Sequence, residues 1–555
     1  MNKDRPYMDT LSSNSEPNTT KKHRKEHLSQ PMIARKIVAF QEIIEQKEVS
    51  ARSAAKLIGV ANSTMQSWQA KPSIKEAPPE LQDFLSTLTG AEFLNRVFLA
   101  AHQSIRYGCG GLRALKEFLT LSGLHHFVAS SEGALHAFSR RYENYIVAFG
   151  EREEEKAADK MKTKKITAAL DEMFRGQKPC LVAIEVVSGY ILLEKFTEDR
   201  KAETWTRELK PRLNQLNLEL QQVVSDLCGG IRSSAKEQGA QHIPELFHVQ
   251  YEISKATAAP LSAQEREFEK LLAESEDKLK KTIVKHGEKS KEAEQATIVR
   301  NLRKIGLDDR VKRKEKVRAA KKALGQIHHP IDLNTGKLQT AESIQQGFDD
   351  QLEVIEESVQ QAQLSTSCTK RLAKAKRAFA SIVDYLRYFF LIYMTFAKEL
   401  EAEYATFFHE VIFPLSYLQS IWRRLPKKDK EAIRALIEKL EIKARDSPFP
   451  EEMKKSLFQK GKELAELFQR SSSCVEGRNG VLSLYFHRFH QLGVNGIKAL
   501  SIIHNYHKLR EDGTTAAKRL FGTDHDNLFE SLVANVSIPG RPYKKRAKKE
   551  SLAVA

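Results

Sequence analysis

Cysteine is scarce in this chain. Five cysteines stand in 555 residues (Cys109, Cys180, Cys228, Cys368 and Cys474), and no two form a C-x-x-C pair. That spacing argues against a cysteine zinc site and against a disulfide framework, and fits a reducing compartment. Long hydrophobic runs are missing too. The most apolar stretch, Tyr388–Ala397, is flanked by Arg387 and Lys398 and is about half the ~20 residues that a membrane span takes. It reads as a buried helix. The N-terminus is polar, without the pattern of a secretory signal. These absences predict a soluble protein with no membrane partner. Acidic residues are in deficit: 72 Asp+Glu against 90 Lys+Arg, a formal charge of +18. The excess favours a polyanionic partner, nucleic acid first, although charge alone does not separate DNA from RNA or an acidic lipid surface. The length predicts several domains, at ~100–200 residues each.

The pattern changes along the chain. Residues 1–30, with Lys21-Lys-His-Arg-Lys25, read as a disordered basic arm. In 31–75, Ile33, Ile37, Phe40 and Ile44 recur at helical spacing. Ser50–Gly59 and Asn62–Trp68 then make two short helical segments around a turn at Val60-Ala61. Small Ala54 and Ala55 permit close packing, and Val60, Met65 and Trp68 close a small core. This predicts a helix-turn-helix whose second helix is capped by Asn62. Ser63, Thr64, Gln66 and Gln69 are expected to be exposed toward a DNA groove, and Arg52 and Lys56 to meet phosphates. The simpler alternative is a helical hairpin with no DNA role. Residues 79–160 read as a helical subdomain broken at Gly108 and Gly110-Gly111, and Glu151–Lys165 as a charged linker.

Residues 165–255 switch to a mixed α/β pattern. Ile166–Leu170 reads as a short strand, Cys180–Val187 and Tyr190–Phe196 as a hairpin about Ser188-Gly189, and Ala202–Leu216 as a helix. Val223–Ser225 is the next strand, Ile231–Glu237 a helix, and Glu245–Val249 a further strand. Residues 256–465 are helical in pattern. Ile344, Phe348, Leu352, Ile355 and Val359 form one stripe, and Phe268, Leu272 and Leu279 another. The two are expected to pair as an antiparallel arm around a loop near His328-His-Pro330. A stretch this long cannot be a structureless loop within a fold, so it reads as an all-α insertion domain. Residues 466–530 complete the interrupted core, and 531–555 are a basic tail.

Three carboxylates carry the chemistry. Asp171 and Asp226 each follow an apolar, strand-like run, and Glu476 lies in Ser473-Cys-Val-Glu-Gly-Arg-Asn479. Oxygen ligands of this kind suit Mg²⁺, and two such ions serve phosphodiester cleavage. Each also has an ordinary explanation: aspartate is common in turns at strand ends, and Ser473 with Glu476 fits a helix capping box. Val475, Leu482, Phe486 and Phe489 form a core stripe after Glu476, while Glu476, Asn479 and Ser483 share another face. The basic run Arg310–Lys322 and the tail Arg541–Lys549 are solvated charge or phosphate contacts.

The stretches Leu170-Asp-Glu-Met-Phe174, Val224-Ser-Asp226, Leu246-Phe-His-Val249, Ser473–Asn479 and Asn505–Ala517 together resemble the catalytic core of bacterial insertion-sequence DDE transposases. The resemblance implies a multidomain α + α/β chain: an N-terminal helix-turn-helix and an RNase H-like mixed α/β core interrupted by a large all-α insertion. It implies that Asp171, Asp226 and Glu476 hold two Mg²⁺ ions (Mn²⁺ substituting), with His248, Arg478 and Asn479 at the edge of the site. The implied activity is cleavage of double-stranded DNA at element ends and strand transfer into target DNA, by a homodimer or larger assembly in the bacterial cytoplasm, on the nucleoid. Ser483 stands where some transposases carry a lysine, which leaves Arg478 and Arg488 as substitutes for DNA contact. The alternatives are a transposase-derived DNA-binding regulator without catalysis and a metal-dependent nuclease that never joins strands.

Overall fold

The computed structural model describes residues 28–70, 77–226, 228–468, 473–488 and 493–541. Residues 1–27 of the arm expected over 1–30, the last part of the tail (542–555) and Phe489 lie outside them. The chain divides into two units, Met1–Tyr142 with Glu530–Ala555, and Glu143–Phe529.

The first unit is helical. It opens with α1 (Gln30–Lys47), α2 (Ala51–Leu57) and α3 (Asn62–Gln69). Phe40, Ala54, Ala55 and Met65 form their buried core, with Ile37, Val60 and Trp68 packed against it. Two alanines at the centre let the backbones approach closely, and Gly59, at φ +68°, makes the turn after α2. Asn62 is not the cap: α3 starts at Asn62, and Ala61 stands at the N-cap with its carbonyl accepting from the Thr64 N–H at 2.9 Å. Further helices follow as α4 (Pro79–Ser86), α5 (Leu88–Tyr107) and α6 (Leu112–Leu121). The Gly108–Gly111 break falls between the last two, where the sequence places it. The expected tail is structured as far as Arg541: Asn95 donates to the Val533 carbonyl at 3.1 Å, Arg96 pairs with Glu530 at 2.6 Å, and Gly540 bridges Val128. The next helix, α7, spans Glu132–Ala158, so much of the expected linker is helix; from Glu143 on it belongs to the second unit. Its Glu153 and Glu154 are buried, because each carboxylate has cationic partners: Arg152 and Lys156 for Glu153, and Arg212 for Glu154.

The second unit is built on one five-stranded sheet. Its strands are β1 (Lys164–Arg175), β2 (Lys178–Glu185), β3 (Ile191–Phe196), β4 (Leu218–Ser225) and β5 (Gln241–Pro244), in the order β3-β2-β1-β4-β5. β1, β2 and β3 are antiparallel neighbours, while β4 runs parallel to β1 and β5 parallel to β4. Ile166–Leu170 of β1 and Pro179–Glu185 of β2 are buried throughout, as in strands covered on both faces. Helix α8 (Ala202–Gln215) links β3 to β4 and buries Trp205, Leu209 and Leu213, and α9 (Gly229–Glu237) links β4 to β5.

Two strand expectations need correction. β1 does not end at Leu170. It runs on to Arg175 as a hairpin with β2 through Gly176, at φ +63°, so Asp171 lies within a strand. Residues 245–249 are not a strand either. Pro244 cannot donate to a ladder; β5 ends there, and Leu246 starts the 41-residue helix α10 (Leu246–His286).

The helical block then runs through α11 (Lys291–Ile327), α12 (Ala341–Gln361) and α13 (Thr366–Lys398). The apolar stripe of α12 is buried as its spacing predicts. Its expected pairing with α10 is not observed: α10 folds back on α11 through Gly287 (φ +85°), while α12 packs on α11 and α13. Gly306 permits the close α10–α11 approach, since a Cβ there would lie 2.5 Å from the Phe268 ring. Lys314 and Arg300 complete the α10–α11 seam by pairing with Glu265 and Glu276. Helix α13 is long and apolar enough to cross a membrane by length and composition. Its Phe379, Ile382, Leu386, Phe389 and Tyr393 are buried in the helical core with α14 (Ala402–Phe407), α15 (Phe413–Ile421), α16 (Lys427–Arg445) and α17 (Glu451–Leu467).

The chain returns to the sheet with α18 (Ser473–Arg488) and α19 (Val494–Tyr506), and α20 (Ala516–Phe521) follows. α18 lies on β1 and β2, and α19 on β3. Asn505 closes the edge of β3: its Oδ1 accepts from the Ile191 N–H at 2.9 Å and its Nδ2 donates to the Ile191 carbonyl at 3.1 Å.

Candidate functional site

Parallel pairing brings the first two carboxylates together. Ala169 of β1 pairs with Val224 of β4; two residues on are Asp171, still within β1, and Asp226, just past the end of β4 at Ser225. β5 is also parallel and ends at Pro244, so Glu245 emerges at the same end of the sheet. The carboxyl ends of parallel strands are the usual ligand-binding edge of α/β sheets. Helix α18 supplies the rest. Glu476 and Asn479 lie a turn apart on one face, and Asn479 Nδ2 donates to Asp171 Oδ2 at 2.7 Å. Glu245, His248 and Glu476 each offer a ligand atom, and the three atoms lie within 4.8 Å of one another.

Backbone amides set the acids in place. The Glu172 N–H donates to Asp171 Oδ1 at 2.8 Å, and the Cys228 N–H donates to Asp226 Oδ1 at 2.8 Å. Burial raises the Asp171 carboxyl to about 6; the Glu172 N–H opposes this, and the negative charges of Asp226, Glu172 and Glu245 add to it. His248, on the first turn of α10, sits 3.0 Å from Glu245. That hydrogen bond raises its pKa against the effect of burial, and the charges of Glu245, Asp226 and Glu476 raise it further. Crowded carboxylates held by amides and one imidazole are suited to binding a cation.

The structure sorts the expected site residues. Asp171, Asp226, Glu476, His248 and Asn479 come together. Arg478 does not join them: its guanidinium faces β3, donating to Glu194 Oε2 at 2.7 Å, and both side chains are buried. It is therefore committed to a structural ion pair and is no substitute for a phosphate-binding lysine. The side chain of Arg488 lies outside the described residues. The core stripe of α18 is Val475, Arg478, Leu482 and Tyr485, with Phe486 only half-buried. Ser473 is itself helical, and the position before it lies outside the described residues. Among the expected DNA-binding residues, Arg52, Lys56, Ser63, Gln66 and Gln69 are exposed and Thr64 is half-buried.

Two acids were not anticipated. Glu245 follows the last strand and precedes a long helix, as Asp226 follows β4 and precedes α9; that repeated strand–acid–helix order was the available signal. Glu172 is buried beside Asp171, accepting from Trp205 Nε1 at 3.3 Å and Arg200 Nη1 at 3.4 Å.

A family model described as "Family of unknown function (DUF6399)" matches residues 408–548, which include Glu476 and Asn479 but none of the sheet carboxylates. No curated protein matches the chain.

Proposed function

We propose that the chain is a metal-dependent DNA transposase whose α/β unit cleaves phosphodiesters at the ends of a mobile element and transfers the freed strand to target DNA. The observation that carries this reading is that α18 returns to the sheet acids across a sequence gap of about 250 residues: Asn479 donates to Asp171, which feels the charge of Asp226, and Glu476 on the same helix face clusters with Glu245 and His248. Two further features support an RNase H-like core: the order β3-β2-β1-β4-β5, with an antiparallel triplet followed by two parallel strands, and the all-helical block between Asp226 and Glu476.

The donors fit hard divalent cations. They are carboxylate oxygens, crowded enough to push Asp171 upward, and Asn479 Oδ1 is buried without a hydrogen-bond partner. Asp171, Asp226 and Glu476 would hold Mg²⁺, with Glu245 and His248 beside them. When bound, a pair of such ions supplies activation of the attacking oxygen and stabilisation of the leaving one. The chain's own residues position the donors. Asn479 and the Glu172 amide fix both oxygens of Asp171, the Cys228 amide fixes one oxygen of Asp226, and His248 orients Glu245. In this reading α1–α3 recognise the element ends. Arg52 and Lys56 meet phosphates, and Ser63, Gln66 and Gln69 face base edges.

The test uses DNA flanking the gene, inspected for terminal inverted repeats and supplied as a duplex substrate in Mg²⁺. Wild-type protein is expected to nick at the repeat and give a joined product, while Asp226→Asn protein binds the same duplex without cutting it. Cutting with no joined product would make the chain a nuclease. Equal cutting by the Asp226→Asn protein would overturn the site.

A further inference from the structure

Beside the carboxylates, α10 exposes two aromatic rings. Phe247 and Tyr251 are 67% and 48% exposed. One helical turn separates them, and their rings are parallel within 5° at a centroid distance of 6.1 Å. Phe247 lies 5.4 Å, ring to ring, from His248, which joins it to Glu245 and Glu476. At the other end, the Lys255 ammonium stands 4.1 Å from the centre of the Tyr251 ring. The helix cannot turn to hide these rings. Val249 and Ile253 are buried on its other face, Gln250 donates to the Lys321 carbonyl at 3.4 Å, and Lys321 reaches Ser254. Arg318 and Lys322, next to that contact on α11, are exposed.

Single exposed apolar residues are ordinary on a protein surface. Two parallel rings, one beside the histidine of a carboxylate cluster and the other under a lysine ammonium, are the parts from which single-strand sites are made: π-faces for bases and positive charge for the backbone. We propose that Phe247 and Tyr251 form a shelf on which an unpaired nucleobase stacks, next to the phosphodiester held at the carboxylates. The inference rests on the transposase reading and deepens it: the site takes a strand opened at or near the scissile bond. Stacking accepts any base, so the shelf contributes affinity for the open strand without selecting sequence.

The experiment measures binding of the full chain, in Ca²⁺, to fluorescein-labelled oligo(dT) of twelve nucleotides and to a blunt twelve-base-pair duplex. The Phe247→Leu/Tyr251→Leu double variant keeps apolar bulk and removes both rings. It is expected to bind the single strand about tenfold more weakly and the duplex within about twofold of wild type, since paired bases present no free face. Phe247→Tyr, which retains a ring, should keep single-strand affinity. Equal single-strand binding by wild type and the double variant overturns the shelf, as does an equal loss on both DNAs, or no binding of oligo(dT) by wild type. The cleavage assay separates the two ideas. Ring-dependent binding without metal-dependent cleavage leaves the shelf and removes the transposase reading. Cleavage with ring-independent binding does the reverse.

Discussion

Two sets of carboxylates lie in the same α/β unit and are treated in opposite ways. Glu194 and Glu154 are buried and fully compensated. Glu194 meets the buried guanidinium of Arg478 and the Ser501 hydroxyl, and Glu154 meets Arg212 and the Tyr190 hydroxyl. Asp171, Asp226, Glu245 and Glu476 instead crowd one another, beside backbone amides, Asn479 and His248. Helix α18 serves both sets. Glu476 and Arg478 are two residues apart, about 200° around the helix, so one faces the acids while the other locks the helix to β3. Compensated charge holds this fold together; in the proposed site, crowded charge would be offset by a bound cation.

The largest expected contrast comes from those two neighbours. Glu476→Gln should abolish metal-dependent cleavage while leaving the thermal midpoint near that of wild type. Arg478→Ala should do the opposite first: it leaves Glu194 buried and unpaired, at a cost of about 3–5 kcal/mol, read as a lowered denaturation midpoint. Replacing both members of the pair with leucine should recover much of that loss. If Arg478→Ala were neutral in stability, the ion pair would not be the lock described.

A smaller effect separates the sets by metal. Mg²⁺ should raise the midpoint of the wild type and fail to do so for Asp226→Asn, because a ligand bound only by the folded state stabilises it. Asp171 is held near 6; as pH falls below that value a proton competes for the carboxylate, and the Mg²⁺ effect should shrink. No Mg²⁺ effect at pH 8 would place the acids with the structural set.

The smallest effect concerns metal-free protein. The folded pKa of Asp171 lies above the unfolded one, so its contribution is complete below about 4 and is lost as pH rises through about 6. Asp171→Asn should therefore raise the metal-free midpoint by roughly 2–4 °C at pH 8, with little difference at pH 4. A lowered midpoint at pH 8 would mean that the aspartate is a stabilising group.

Much of this was legible in the sequence because it rests on local pattern. The stripe of α12 and the Ala54/Ala55/Met65 core follow from spacing and residue size. Asp171, Asp226 and Glu476 stood out through short motifs and their order. What was missed depends on pairing between distant segments. Nothing local shows that Arg478 faces Glu194, 284 positions away, or that α10 packs on α11 with Gly306 opposite Phe268. The strand read into 245–249 hid Glu245, since apolar residues in a helix's first turn resemble a short buried strand until the break at Pro244 is weighed.

The central claim, that the crowded acids are a divalent-cation site, is tested most directly by anomalous diffraction from crystals of the full chain grown in Mn²⁺. The account predicts manganese between Asp171, Asp226 and Glu476, and its loss in Asp226→Asn crystals. Ordered manganese elsewhere, with these carboxylates left without an ion, would contradict it.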